Sequence, residues 1–353
     1  MSRRTVSPAE LDGARHRAVL RGLDYLGRIA CHPRRLPTFG SGLLYCCAFM
    51  ASTAAHPEVR RRARTLARRG WLAWRHLWTP FAPPDSADEV AELVHGHCAA
   101  QRLGLRFPRR RAWLREHATR FQPADFLGWD PLEGPPPRTL RLPCDCGWID
   151  PGSSSRCRNP SCLQPRARQG PHRTWCLALT ATYCGERLDV PLGRRYADVL
   201  AWLPHLPDYP SPSRGVVPFY EAAYTVTHIV YTLNDYGRYQ LDPRWLPREY
   251  RFLADHLEDA IALEDDDLLG EFLDTLRAFG IPNEHPAIHF AMRHLLDRQN
   301  SDGSWGPTEN GHDYHRFHTT WAVLDGLRDF AWQGSGIAFP RLLPRLRQWA
   351  RAA

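Results

Sequence analysis

The sequence predicts an all-α protein in which six consecutive helical hairpins close into an (α/α)6 toroid. The long periodic segments place apolar residues at the 3.6-residue spacing of amphipathic helices, and no strand-like alternation of useful length occurs. These segments also fall into pairs separated by turn signals. In such a toroid the first helix of each pair lies outside and the second lines the centre.

The predicted hairpins follow one another along a single domain, residues 1–353. Their paired helices are, in order, 11–30 with 41–55, 58–78 with 86–103, 108–120 with 173–184, 193–204 with 218–236, 246–260 with 265–280, and 285–299 with 313–331, followed by a closing helix over 341–352. The second helix of a pair is less charged and richer in small residues, as in GLLYCCAFMASTA, whereas the arginines concentrate in the first. We therefore expect the second helices to surround a central cavity.

The third hairpin is interrupted by an insertion, residues 121–172, that is rich in Pro, Gly and Ser and too long for an ordinary hairpin loop. It contains four cysteines spaced C-x-C-x10-C-x4-C: Cys144, Cys146, Cys157 and Cys162. Four soft ligands in a loop-rich segment suit a structural, tetrahedral zinc ion. Reduced cysteines without metal, or a redox role, are the alternatives. The predicted zinc loop is also the place where we expect any protein partner to bind.

The chain contains no lysine, so all 46 of its basic residues are arginine. This excludes a Schiff-base lysine, a pyridoxal-phosphate lysine and a Walker A loop. The net charge is +8, but abundant Ala, Arg, Pro and Gly indicate a GC-rich bacterial genome, and no nucleic-acid-binding motif accompanies the charge. We therefore expect no nucleic-acid partner. The Arg60–Arg64 run is interpreted as a solvated helix face, or as a surface for an acidic partner.

No apolar run approaches the length of a membrane-spanning helix, and the N-terminal MSRRTVSPAELDGARHR lacks the hydrophobic core of a signal peptide. The expected location is the cytoplasm.

The DGSWG turn, with Asp302-Gly303 for the reversal, Trp305 as an apolar anchor and Gly306 at a position that tolerates positive φ, resembles the QW-type repeat of the α/α-toroid enzymes. These include terpenoid cyclases and the β subunits of protein prenyltransferases. The following HTTWAVLDGL resembles the last inner helix of prenyltransferase β subunits, where a histidine before a Thr-rich start binds the catalytic zinc. The resemblance covers roughly the last 70 residues and implies the architecture. It assigns a ligand role to His318 alone, because no Asp-x-Cys pair stands upstream.

Histidines provide the second candidate site. His312, His315 and His318 recur at steps of three, and His228 lies in the middle of another predicted inner helix. Imidazoles that converge on one cavity suit proton transfer or a second metal ion, Zn, Fe or Cu. We expect His228 and His318 to share the cavity as ligands or acid–base groups, with His315 as a further ligand. With 17 histidines in the chain, two near one cavity could also be ordinary packing residues.

Carboxylates complete the candidate set. The run Glu264–Asp267 is expected mainly to cap a helix N-terminus. It also resembles the D-x-D-D acid of class II terpenoid cyclases, with Glu in the first place, which would make Asp266 a catalytic acid. Glu271, one turn into the helix, and Asp235 are the expected carboxylate partners of the histidines.

These features predict an enzyme of bacterial specialised metabolism that acts on a small, largely apolar molecule, with histidine-centred and metal-assisted chemistry. A terpenoid-cyclase-like acid catalyst and a non-enzymatic scaffold that binds a peptide or protein are the alternatives.

Overall fold

The computed structural model describes residues 8–77, 83–141, 156, 161–162, 168–308 and 313–352. Over these residues the chain is all-α, and its β-structure consists of one pair of two-residue strands and three isolated β-bridges. Among them, no helix combines the length and apolar character needed to cross a membrane.

The elements follow one another in chain order. The α-helices are α1 (Pro8–Ala30), α2 (Leu36–Thr53), α3 (Pro57–Trp74), α4 (Ala87–Arg102), α5 (Pro108–Ala118), α6 (Pro123–Leu127), α7 (Pro171–Leu188), α8 (Tyr196–Leu200), α9 (Val216–Leu233), α10 (Pro247–Asp255), α11 (Leu257–Ala262), α12 (Asp266–Ala278), α13 (Pro286–Asp297), α14 (Asp313–Leu327) and α15 (Leu343–Ala352). Short 3₁₀ helices cover Leu203–His205, Pro212–Arg214, Pro243–Trp245 and Pro340–Leu342. Strands β1 (Leu140–Arg141) and β2 (Arg168–Gln169) pair antiparallel.

Local sequence accounts for where the helices begin. Proline occupies the first turn of α3, α7, α10 and α13, where its missing N–H would have no helical partner. Ser86 caps α4 by accepting a hydrogen bond from the backbone N–H of Glu89 at 3.2 Å. Asp265 caps α12 by accepting from the N–H groups of Asp267 and Leu268.

Six helices contact one another in succession: α2 with α4, α4 with α7, α7 with α9, α9 with α12, α12 with α14, and α14 with α2. They are strongly buried, and every residue of α12 is buried. The helices between them in sequence pack against this set, for example α3 on α2, α5 on α4 and α13 on α12. On α3 the arginine side chains at 61, 62, 64, 68 and 69 are exposed, which is the solvated face expected from the sequence.

Two first helices differ from their predicted spans. The span 193–204 contains only the five-residue α8 followed by a 3₁₀ turn, because Pro204 and Pro207 cannot donate helical hydrogen bonds. The span 246–260 is divided into α10 and α11 at His256, whose φ of −113° interrupts the helix.

The tryptophan turn has the geometry that its glycines suggest. Gly303 and Gly306 have φ of +92° and +88°, and Trp305 is fully buried. The Trp305 indole N–H donates to the Leu295 carbonyl at 2.7 Å, which fixes the end of α13 against the turn.

Candidate active site

A cavity of about 640 Å³ lies among the six successive helices. Each of them contributes to its lining: Tyr45 from α2, His95 from α4, Arg173 from α7, Tyr224 from α9, Glu271 from α12 and His318 from α14. Because these residues are far apart in sequence, the site exists only when the whole set of helices is assembled.

One wall of the cavity is aromatic. Tyr45 meets Tyr236 edge to face at 4.8 Å between ring centroids, and Tyr231 stacks on Tyr236 at 5.8 Å. Phe49 and Trp321 extend the same surface. Such a wall favours a ligand with a large apolar body.

Polar groups also line the cavity, in one stripe on α12 and another on α14. On α12, Asp267, Glu271 and Asp274 are spaced four and three residues apart and therefore share one helix face. On α14, His318 and Asp325 are seven residues apart and share a face in the same way. Both sets of side chains line the same cavity.

His318, near the start of α14, forms an ion pair with Asp267, at the start of α12. His318 Nδ1 lies 2.8 Å from Asp267 Oδ1, and the hydroxyl of Tyr224 donates to Asp267 Oδ2 at 2.6 Å. Burial disfavours a charged imidazole, but the adjacent Asp267 carboxylate outweighs it and raises the pKa of His318 to about 9. The pKa of Asp267 is lowered, because His318 and these hydrogen bonds outweigh its burial. Near neutral pH the pair is therefore imidazolium and carboxylate.

Glu271 has the opposite character. Burial, with the Asp267 carboxylate in addition, raises its pKa to about 8, so it is largely protonated at neutral pH. The Thr227 hydroxyl donates to Glu271 Oε2 at 2.5 Å, which lowers the pKa of Glu271, but burial and the Asp267 carboxylate outweigh this hydrogen bond.

His228 is the neutral member of the site. Burial lowers its pKa to about 3, and the positive charge of Arg173 adds to this effect. Its Nδ1–H donates to the Tyr224 carbonyl at 2.7 Å, so Nε2 carries the lone pair. Nδ1 also lies 3.9 Å from Glu271 Oε2. A neutral imidazole and two protonated groups thus lie around one cavity.

Asp274 and Asp325 line the cavity closer to the C-terminal ends of α12 and α14. Burial, with the Asp325 carboxylate in addition, raises the pKa of Asp274. Asp274 Oδ1 has no hydrogen-bond partner among the described residues, whereas Asp325 accepts from Arg328 and from the Trp321 indole. Asp274 therefore retains its proton to higher pH than an ordinary aspartate, and one of its oxygens has no partner among the described residues.

Three further candidates for the cavity, His315, Asp235 and Asp266, lie within the described part of the chain. His315 lines the cavity, with Nδ1 3.5 Å from the Thr319 hydroxyl. Asp235 does not line it: its carboxylate binds Arg102 at 2.7 Å and accepts from the Tyr183 hydroxyl at 2.6 Å. Asp266 does not line it either, because it pairs with Arg298 at 2.5 Å.

The remaining predicted ligands are His312 and the four cysteines of the insertion. His312 lies outside the described residues, as do Cys144, Cys146 and Cys157. Cys162 is described and partly buried.

The cavity histidines have one feature of metal ligands. His228 and His318 each use Nδ1 toward an oxygen, the arrangement that orients metal-binding imidazoles. However, within the described residues the one group of three His, Cys, Asp or Glu ligand atoms that all lie within 4.8 Å of one another is elsewhere, at His16, His56 and Glu58. A metal ion in the cavity would thus require side chains to move.

Asp267 is the main cavity residue that the sequence does not single out. The sequence places it in a capping run, yet it stands four residues before Glu271 and so on the same helix face. That spacing is the signal that could have identified it.

Comparison with known families gives one result. Residues 144–321 match the profile of a family described as a domain of unknown function, DUF6895, and no curated protein matches the chain. The match covers just over half of the chain and includes Tyr224, His228, Asp267, Glu271 and His318. The chain belongs to the DUF6895 family.

Proposed function

We propose that this protein is an enzyme that transfers protons to and from a small, largely apolar molecule bound in the cavity. The supporting observation is the separation of proton affinities within one site: His318 and Glu271 hold protons at neutral pH, whereas His228 is neutral. Titratable groups with diverging pKa values in one cavity are typical of acid–base catalysis. The cavity volume, about 640 Å³, is that of a small-molecule site.

The roles follow from the contacts. The imidazolium of His318, oriented by Asp267, is the general acid that protonates the substrate from Nε2. Nε2 of His228, which carries the lone pair of a neutral ring, accepts a hydrogen bond from the substrate. Glu271 is a second acid, and the aromatic wall shields the apolar body of the substrate from water.

We further infer an (α/α)6 toroid that forms a single domain. The succession of contacts from α2 through α14 and back to α2 supports a closed ring of second helices, with α1, α3, α5 and α13 packed outside it. The similarity to terpenoid cyclases and prenyltransferase β subunits is proposed at the level of this architecture.

A second version of the proposal is that a metal ion in the cavity assists catalysis. The Nδ1 contacts of His228 and His318 favour it, and Zn, Fe or Cu bound at Nε2 would polarise the substrate. The four cysteines of the insertion would hold a separate structural zinc ion. A terpenoid-cyclase-like mechanism through Asp266 has less support, because Arg298 pairs with that carboxylate outside the cavity lining. A scaffold role would not account for the divergent pKa values of the groups in the cavity.

Solvent deuterium tests the proposal even while the substrate is unidentified. The full chain is incubated in D₂O with a panel of small apolar metabolites, and deuterium incorporation is followed by mass spectrometry. We expect enzyme-dependent incorporation into at least one compound. It should fall as the pH rises through about 8 to 9, because Glu271 and His318 then lose their protons.

The variants His318→Gln and His228→Gln should lose at least about a hundredfold of this rate, the typical contribution of a positioned acid or base. The control His285→Ala removes an exposed histidine at the start of α13, outside the cavity, and should retain it. Incorporation that survives both cavity variants would rule out the proposed roles.

A further inference from the structure

A second group of ligand side chains lies apart from the main cavity, where α1 packs on the start of α3. His16 projects from α1, His56 immediately precedes α3, and Glu58 lies in its first turn. One ligand atom from each lies within 4.8 Å of the other two. His16 Nε2 is 3.1 Å from Glu58 Oε2, and the two imidazole rings are 3.7 Å apart between centroids.

These distances are those of ligands around a shared ion. Two donors bound to one tetrahedral zinc ion at about 2.0–2.1 Å lie roughly 3.3–3.4 Å apart. The His16–Glu58 separation of 3.1 Å is close to this value, so a small side-chain movement is enough to admit an ion. Two imidazoles and a carboxylate are a ligand set that zinc-class ions use.

The backbone around the three residues is fixed independently of them. Arg60 donates to the carbonyls of Ala54 and Ala55 at 3.0 and 2.7 Å, which ties the start of α3 to the end of α2. Arg62 donates to Asp24 at 2.7 Å and joins α3 to α1. The two histidines are therefore held close together by the fold and not by each other.

We propose that His16, His56 and Glu58 bind a divalent transition-metal ion of the zinc class. A cavity of about 290 Å³ adjoins His16 and His56, so a fourth coordination position faces space large enough for water or a small ligand. A bond from the ion to His56 Nδ1 would replace the hydrogen bond that this atom accepts from the Glu58 N–H at 3.3 Å. When bound, the ion links α1 to α3. This site is independent of the proposed proton-transfer function.

Zinc stoichiometry of the full chain tests the site. Zinc is added to the protein as purified, and bound zinc is measured by competition with a chromogenic chelator. Any zinc on the cysteine cluster is common to all variants and cancels in the comparison. We expect His16→Ala and His56→Ala each to bind one equivalent fewer than the wild type, or to bind it at least about tenfold more weakly, since even outer-shell losses cost about 10–100-fold.

His285→Ala is the matched control, because His285, like His56, is an exposed histidine directly before a proline at a helix start. It should bind zinc as the wild type does. Glu58→Gln keeps the size of a half-exposed side chain and covers the case in which an alanine variant fails to fold. It too should weaken zinc binding about tenfold. Equal stoichiometry and affinity in the wild type and the folded variants would overturn the proposal.

Discussion

Three adjacent aspartates at the start of α12 have three different roles. Asp265 caps the helix, Asp266 pairs with Arg298, and Asp267 faces the cavity and pairs with His318. Successive residues on a helix point about 100° apart, so a run of identical side chains necessarily meets different surroundings. Of the three aspartates, Asp267 is therefore the one that lines the cavity.

This division predicts opposite outcomes for two similar substitutions. Asp267→Asn removes the charge that raises the pKa of His318, so that pKa should fall from about 9 to below 6.5, its ordinary value, because burial then dominates. Asp266→Asn should leave it near 9, since Asp266 contacts Arg298 instead. The pKa is measured by NMR titration of the His318 ring. A His318 that still titrates near 9 in Asp267→Asn would contradict the assigned pairing.

Helical periodicity allows His228, His318 and Glu271 to be predicted, because each lies within a regular helix whose inner face the sequence defines. The same extrapolation is misleading for Asp235. It lies beyond the end of α9 at Leu233, with φ of +58°, and its carboxylate lies with Arg102 and Tyr183. Periodicity carries no information about direction once the helix has ended.

At the scale of elements, the approach of α12 to α14 determines the geometry of the site. Gly270 and Gly326 face each other, and a Cβ on Gly270 would lie 2.7 Å from the backbone carbonyl of Ala322. These small residues let the two backbones come close enough for Asp267 to reach His318. Hydrophobic patterning predicts both helices, but it does not measure their separation, which depends on such contacts.

Gly270→Ala should accordingly destabilise the protein. The added methyl group meets backbone, which cannot move aside as a flexible side chain can, so we expect a loss of about 1–3 kcal/mol in the free energy of unfolding. Gly13→Ala is the control: its new Cβ meets only the end of the Arg17 side chain at 3.3 Å, and alanine favours the helix by about 0.5–1 kcal/mol. Urea unfolding measures both. A Gly270→Ala variant as stable as Gly13→Ala would contradict the close backbone contact.

At the scale of the molecule, residues from the two halves of the chain are joined. Ala55 N–H donates to the Asp329 carbonyl and Ala331 N–H to the Thr53 carbonyl, both at 2.7 Å, so the segment after α14 pairs with the end of α2. Sequence patterning predicts helices and their pairing into hairpins. It does not predict these contacts between residues nearly 280 positions apart, because they involve irregular backbone without a periodic signal.

The buried Arg15 of α1 strengthens the same junction. Its side chain is 3% exposed, donates to the Leu327 carbonyl at 3.2 Å and pairs with Asp329 at 2.9 Å. Arg15→Ala should lower the free energy of unfolding by about 2–3 kcal/mol, through lost charged hydrogen bonds and an unpaired carbonyl. The loss should stay below that of a fully buried pair, because Asp329 is half exposed and keeps Arg277. Urea unfolding of the full chain measures it, with Arg17→Ala, an exposed arginine of the same helix, as the control. Equal stability of the two variants would mean that the joining of these segments does not depend on Arg15.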